Sequence, residues 1–151
     1  MAESFQEYRF PLFVDLRGRK AVVVGGGPIG ARRARILLEF GADVTVIAPE
    51  IGEVPAEVHR VQRAYQSGDL DGAFLAVAAT GVREVNRQVG QEAAEAGIFV
   101  SVADSAQESS FFFPAICTGG GLIAGVVSRG REHRKTAQAA RRIREILQEK
   151  P

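Results

Sequence analysis

Six consecutive residues are spaced for phosphate chemistry. Gly25-Gly26-Gly27-Pro28-Ile29-Gly30 fits G-x-G-x-x-G. In that pattern the first glycine permits a tight turn, the second lets the backbone approach a pyrophosphate, and the third lets a helix pack closely on a strand. Where a helix follows, its N-terminus adds free N–H groups and a partial positive charge. The same letters also describe an ordinary glycine-rich turn, so the flanking elements decide. Lys20 to Gly25 is too short and too β-branched for anything but a buried strand, and Pro28 suits the first turn of a helix. The loop is therefore expected to bind a dinucleotide through Gly25, Gly27, Pro28, Ile29 and Gly30.

One usual companion is missing. An NAD site commonly has Asp or Glu at the end of the second strand, about 20 residues on, for the ribose hydroxyls. Here Val44-Thr45-Val46-Ile47 runs into Ala48-Pro49, with Glu50 beyond and no adjacent arginine to favour a ribose phosphate. That leaves the adenosine end to backbone groups, to Glu50, or to nothing.

Further candidates stand where strands of a parallel sheet would end, the place where such folds bind ligands. Thr80 follows the small pair Ala78-Ala79, and Asn86 lies one turn into the next helix. Thr80 reads equally as a helix cap and as a cofactor contact. Asp104 follows the apolar run Ile98 to Val102. A carboxylate there can take a proton while hydride leaves toward a nicotinamide ring. Position alone leans instead to an Asx-type turn residue. His59 and His133, 74 residues apart, show no metal-ligand spacing, and Ser109 and Ser110 have no histidine partner in sequence. No metal site and no nucleophilic triad is expected.

The elements that must position these residues alternate short apolar runs with helical patterns, the signature of βαβ units. Strands are expected at 20–25, 43–47, 58–62, 74–79 and 98–102. One helix runs from Pro28 to a stop at Gly41. A second places Val82, Val85, Val89, Ala93 and Ala96 on one face, with Gly97 as its stop. After a polar loop to Ser110, two further strand-like runs, 111–116 and 122–128, are joined by Gly119-Gly120-Gly121, and an arginine-rich helix closes the chain. The expected architecture is α/β: a Rossmann-type doubly wound parallel sheet over residues 1–110, followed by a small ββα segment over 111–151.

Composition bounds the rest. With 151 residues, 46% of them hydrophobic, the chain holds about one domain and enough apolar material for a core. A net charge of +1 provides no overall field for nucleic acid or an anionic membrane, although residues 129–151 carry eight basic against three acidic side chains. No apolar run reaches membrane-span length, and Met1 to Phe5 lacks the features of a signal peptide. The single cysteine, Cys117, cannot pair within the chain and suits a reducing, cytoplasmic setting.

Taken together, these residues resemble a family. Phe10-Pro11-Leu12-Phe13-Val14-Asp15-Leu16 leading into Val22-Val23-Val24-Gly25-Gly26-Gly27, then Val44 to Glu50 with its Ala48-Pro49 ending, Ala78-Ala79-Thr80 with Asn86, and Phe113-Pro114-Ala115 are similar to the siroheme synthase N-terminal module. The resemblance runs from about Phe10 to Leu147. It implies oxidation of precorrin-2 to sirohydrochlorin by NAD, with insertion of ferrous iron in bifunctional members. It also implies that Asp104 is the catalytic aspartate, that Ala48 and Pro49 border the cofactor, and that residues 111–150 form a homodimer. The chain departs from the family pattern at Thr80-Gly81, at Ser101-Val102-Ala103-Asp104, where members often have Asn-Val-Val-Asp, and at Ser128-Arg129-Gly130. Two other classes remain: a non-enzymatic Rossmann module that senses nucleotide, and a relative that only carries tetrapyrrole or metal. The first commonly has the acidic residue whose place Ala48 takes.

Overall fold

A computed structural model describes residues 8–130 and 132–148. Met1 to Phe5 and, of the charged residues counted over 129–151, Arg131, Glu149 and Lys150 lie outside them. The elements in chain order are β1 (Lys20–Val24), α1 (Pro28–Glu39), β2 (Asp43–Ile47), β3 (His59–Val61), β4 (Leu75–Ala78), α2 (Arg83–Ala96), β5 (Phe99–Val102), β6 (Ala115–Gly119), β7 (Leu122–Val126) and α3 (His133–Gln148). The chain packs as two units: Val14–Phe111, and the described residues up to Phe13 with those from Phe112 onward. Among the described residues no helix is long and apolar enough to cross a membrane.

The first unit is a parallel sheet in the order β3-β2-β1-β4-β5. β1 sits at its centre because Ala-Val-Val-Val is apolar on both faces and stiff at χ1, so it is covered from both sides. Val24 lies level with Ile47 of β2 and with Ala78 of β4, so these strands end together. The chain builds outward from β1 to β3, then returns to β4. The strand order therefore switches between β1 and β4, where open α/β sheets form their ligand crevice.

Alternation along the strands splits the core in two. Val22, Val24, Ala76, Ala78, Val100 and Val102 cluster with Val89 and Ala93 of α2. On the other face, Val23 meets the start of α1, whose buried residues are Gly30, Ala31, Ala34 and Leu37. Burying one such valine contributes about 1.5 kcal/mol or more.

α2 ends as expected, with Gly97 in the left-handed conformation at φ 69°. Its buried face differs from the reading by valines and alanines. Asn86, Val89, Gly90 and Ala93 point inward, while Val82 precedes the helix, exposed, and Ala96 is exposed too. A polar Asn and a Gly hold core positions because one is fully hydrogen-bonded and the other lies against Val102.

In the second unit, β6 and β7 form an antiparallel hairpin. Gly120 and Gly121, at φ 57° and 76°, make the two-residue primed turn that matches strand twist. The expected strand from Phe111 begins only at Ala115, because Pro114 has no N–H to donate to a ladder. Phe111 to Phe113 therefore lie outside the hairpin, and the guanidinium of Arg9 stacks 3.6 Å above the Phe112 ring. The helix α3 covers one face of the hairpin: the Cys117 thiol donates to the Ala140 carbonyl at 3.4 Å, and Arg144 donates to the Ile116 carbonyl at 3.0 Å.

Candidate active site

Each glycine of the loop after β1 answers to a different neighbour. Gly25, at φ 133°, continues the ladder by donating to Ile47, and a Cβ on it would overlap the Ala79 carbonyl of the neighbouring strand end. A Cβ on Gly30 would overlap the Gly25 carbonyl, so its absence lets α1 start directly against the loop. Gly27 is different. Its backbone is extended, and a Cβ there would meet no atom within 4 Å. Gly27 is thus the position from which the fold needs nothing and where an approaching pyrophosphate would benefit from a missing side chain.

Gly26 was not among the expected site residues. A Cβ on it would overlap the Glu50 carbonyl, and Gly52 donates to the Gly26 carbonyl at 2.9 Å. The segment after β2 therefore folds back onto the phosphate loop. Ala48 is buried and donates to Val61 at 3.2 Å, while Pro49 and Glu50 are exposed. Nothing in the linear pattern separates this glycine from its neighbours, since its partner is 24 residues away.

Pro28 opens α1, and the first helical bond runs from Ala31 to Gly27 at 2.9 Å. The N–H groups of Ile29 and Gly30 are left without partners inside the helix. The first turn carries no acidic residue, so its partial positive charge is uncompensated. Open space at Gly27, free donors and this dipole fit a nucleotide pyrophosphate.

At the end of β4, Thr80 and Asn86 bind one another. The Thr80 N–H donates to Asn86 Oδ1 at 3.0 Å, its hydroxyl lies 2.7 Å from the same oxygen, and Asn86 Nδ2 donates to the Thr80 carbonyl at 3.0 Å. Asn86 is fully buried. It therefore reaches a cofactor only through the turn it holds, whereas Thr80 is half-buried at the strand end. The Thr80 hydroxyl also accepts from Val82 N–H at 3.2 Å, a local turn bond just ahead of the helix.

Asp104 lies just beyond β5, where Ala103 donates to the Ala78 carbonyl at 2.9 Å. Its carboxylate does not close an Asx turn: Oδ1 accepts from Arg83 Nη1, and the other terminal nitrogen of Arg83 donates to Glu108. Arg83 and Glu108 carry no sequence motif, and only the fold brings them together. The two serines hold the loop. Ser109 Oγ accepts from Val102 N–H and Ser110 Oγ from Val100 N–H, both at 2.9 Å. The described residues contain no group of three or more His, Cys, Asp or Glu that could hold a metal, and His59 lies 3.0 Å from Asp43 at the surface.

The structure thus brings the phosphate loop, Ala48-Pro49, Thr80 and Asp104 to the carboxyl edge of one sheet. The family profile described as "Putative NAD(P)-binding" matches residues 12–115. The "Probable multifunctional siroheme biosynthesis protein HemA" of Ruminiclostridium josui is 43% identical over 147 residues, covering 93% of this chain and 28% of that protein. A "Siroheme synthase" of Photobacterium profundum is 41% identical over 144 residues, covering 91% and 30%. The chain belongs to the siroheme synthase N-terminal module family. The module spans less than a third of the length of these two curated relatives. Its fold is that of a solved structure titled "SirC, precorrin-2 dehydrogenase", with a TM-score of 0.72 at 26% identity over 91% of this chain and 71% of that one. As a member, it carries an NAD(P)-binding Rossmann unit.

Proposed function

We propose that this chain oxidises precorrin-2 to sirohydrochlorin with NAD, in siroheme biosynthesis. The observation that carries the reading is the sharing of one sheet edge by an open phosphate cradle and an exposed carboxylate, Asp104, whose partner is an arginine. The names of the relatives and of the structural neighbour agree with it.

In the proposed reaction the substrate loses one hydride and one proton. Bound NAD supplies the hydride acceptor. Gly27, Ile29 and Gly30 hold its pyrophosphate by backbone N–H groups, with Gly25 making the turn that brings them there; Ala48 and Pro49 border its adenosine end, and Thr80, held by Asn86, borders the nicotinamide end. Asp104 takes the proton at whichever carboxylate oxygen faces the substrate. NAD is favoured over NADP because no arginine adjoins Ala48-Pro49-Glu50.

Ferrous iron is a second substrate in this reading, with Asp104 receiving the pyrrole protons that insertion displaces. The hairpin and α3 mediate a homodimer, and the free, buried Cys117 suits a cytoplasmic home. Purified chain mixed with precorrin-2 and NAD should develop the sirohydrochlorin spectrum with matching growth of NADH absorbance. Absence of both changes would reject the dehydrogenase reading. Loss of sirohydrochlorin absorbance on adding ferrous iron anaerobically, measured above the uncatalysed rate, tests chelation.

A further inference from the structure

The geometry points to Arg83 as the positioning residue for Asp104: one guanidinium nitrogen fixes one oxygen of the carboxylate and so presents the other to substrate. The inference rests on the reading that Asp104 is the base. Arg83 is the first residue of α2, and its fork spans two carboxylates of the loop after β5, Asp104 on one terminal nitrogen and Glu108 on the other. Glu108 fixes the guanidinium, and the guanidinium in turn fixes Asp104. Among the described residues no hydrogen bond reaches Asp104 Oδ2, and the side chain stays 41% exposed, so the second oxygen is open to a ligand.

Helix stability does not explain an arginine at this place. A cation at a helix N-terminus opposes the helix dipole, and α2 starts without any side-chain cap. The neighbouring arginine, Arg87, is engaged elsewhere, with Glu84 at 2.9 Å. A planar guanidinium can hold two carboxylates on separate nitrogens, whereas the point charge of lysine offers no such fork. Arg83 is thus suited to orienting a carboxylate, which matters because a small misplacement of a catalytic group can cost about 10²-fold in rate.

Steady-state kinetics of the whole chain with precorrin-2 and NAD test this. Arg83→Gln should lower kcat roughly 10²-fold with KM for NAD unchanged, and Arg83→Lys should recover only part of the loss. Guanidinium ion added to Arg83→Ala should restore activity, which a merely structural role would not allow. Combining Arg83→Gln with Asp104→Asn should cost no more than Asp104→Asn alone. Unchanged kcat in Arg83→Gln, or losses that multiply in the double variant, would overturn the positioning role while leaving Asp104 as the base. Full activity of Asp104→Asn itself would reject the underlying assignment instead.

Discussion

The two units bury their apolar residues very differently. In Val14–Phe111 the strands β1, β4 and β5 are covered on both faces, and Val22, Val23, Val77 and Val100 are almost wholly inaccessible. In the other unit only Cys117 and Ala140 are buried among the described hydrophobic residues, while Leu122, Ile123, Val127, Ile146 and, near the start of the chain, Phe10 and Phe13 are exposed. The hairpin has α3 on one face, while among the described residues Thr118, Leu122 and Ile123 stay exposed. A two-stranded hairpin is marginal alone, and three elements cannot enclose a core. The Rossmann unit is a finished object, whereas the second unit leaves apolar side chains exposed, as the proposed homodimer would require.

The sharpest test of that division is catalytic. If the chemistry belongs to the finished unit, Asp104→Asn should lower dehydrogenation roughly 10²–10⁴-fold while NAD affinity and oligomeric state stay as they were. Full activity in the variant would return Asp104 to a turn role. Next comes a contrast between adjacent glycines. Gly27→Val, whose side chain enters open space, should leave the thermal midpoint in place and abolish NAD binding by titration. Gly26→Ala, whose methyl would overlap the Glu50 carbonyl, should destabilise the unit by about 2–3 kcal/mol, lowering the midpoint by roughly 10 °C. The reverse pattern would mean that the open side of the loop has been misassigned.

On the incomplete unit, Ile123→Asp should turn a dimer into a monomer by light scattering at micromolar concentration without shifting NAD affinity. A parent chain that is already monomeric would reject the counterpart altogether. The smallest effect concerns the finished unit again. Burial, and then the hydrogen bond to Glu92 at 2.5 Å, raise the Tyr65 phenol above its ordinary value of 10.0. The folded state therefore keeps a proton that the unfolded state has lost, and stability should decline as pH climbs above 10. Tyr65→Phe should flatten that decline in alkaline melts and cost no more than about 1 kcal/mol at neutral pH.

The finished unit was the more legible one. Its signals are local: β-branched runs mark strands, Gly97 stops a helix, and Pro28 starts one. What the linear pattern could not carry was which residues meet. α2 buries Asn86 and Gly90 in place of Val82 and Ala96 because three hydrogen bonds to Thr80 and a close sheet outweigh hydropathy. Gly26 owes its identity to Glu50, and Arg83 owes its role to Asp104 and Glu108, contacts that exist only once the chain has crossed the sheet. In the second unit Phe111 to Phe113 look like strand by composition, yet Pro114 delays the ladder to Ala115.

The close seat of the Glu50 carbonyl on Gly26 also bears on descent. No side chain at position 26 is compatible with the present course of residues 50–52, and the Gly52 N–H is tied to the Gly26 carbonyl. Two stretches separated by a whole helix and strand are therefore sterically coupled. A lineage that places any larger residue at 26 must reroute the segment after β2 in the same step, so substitutions at the two places should be found together or not at all.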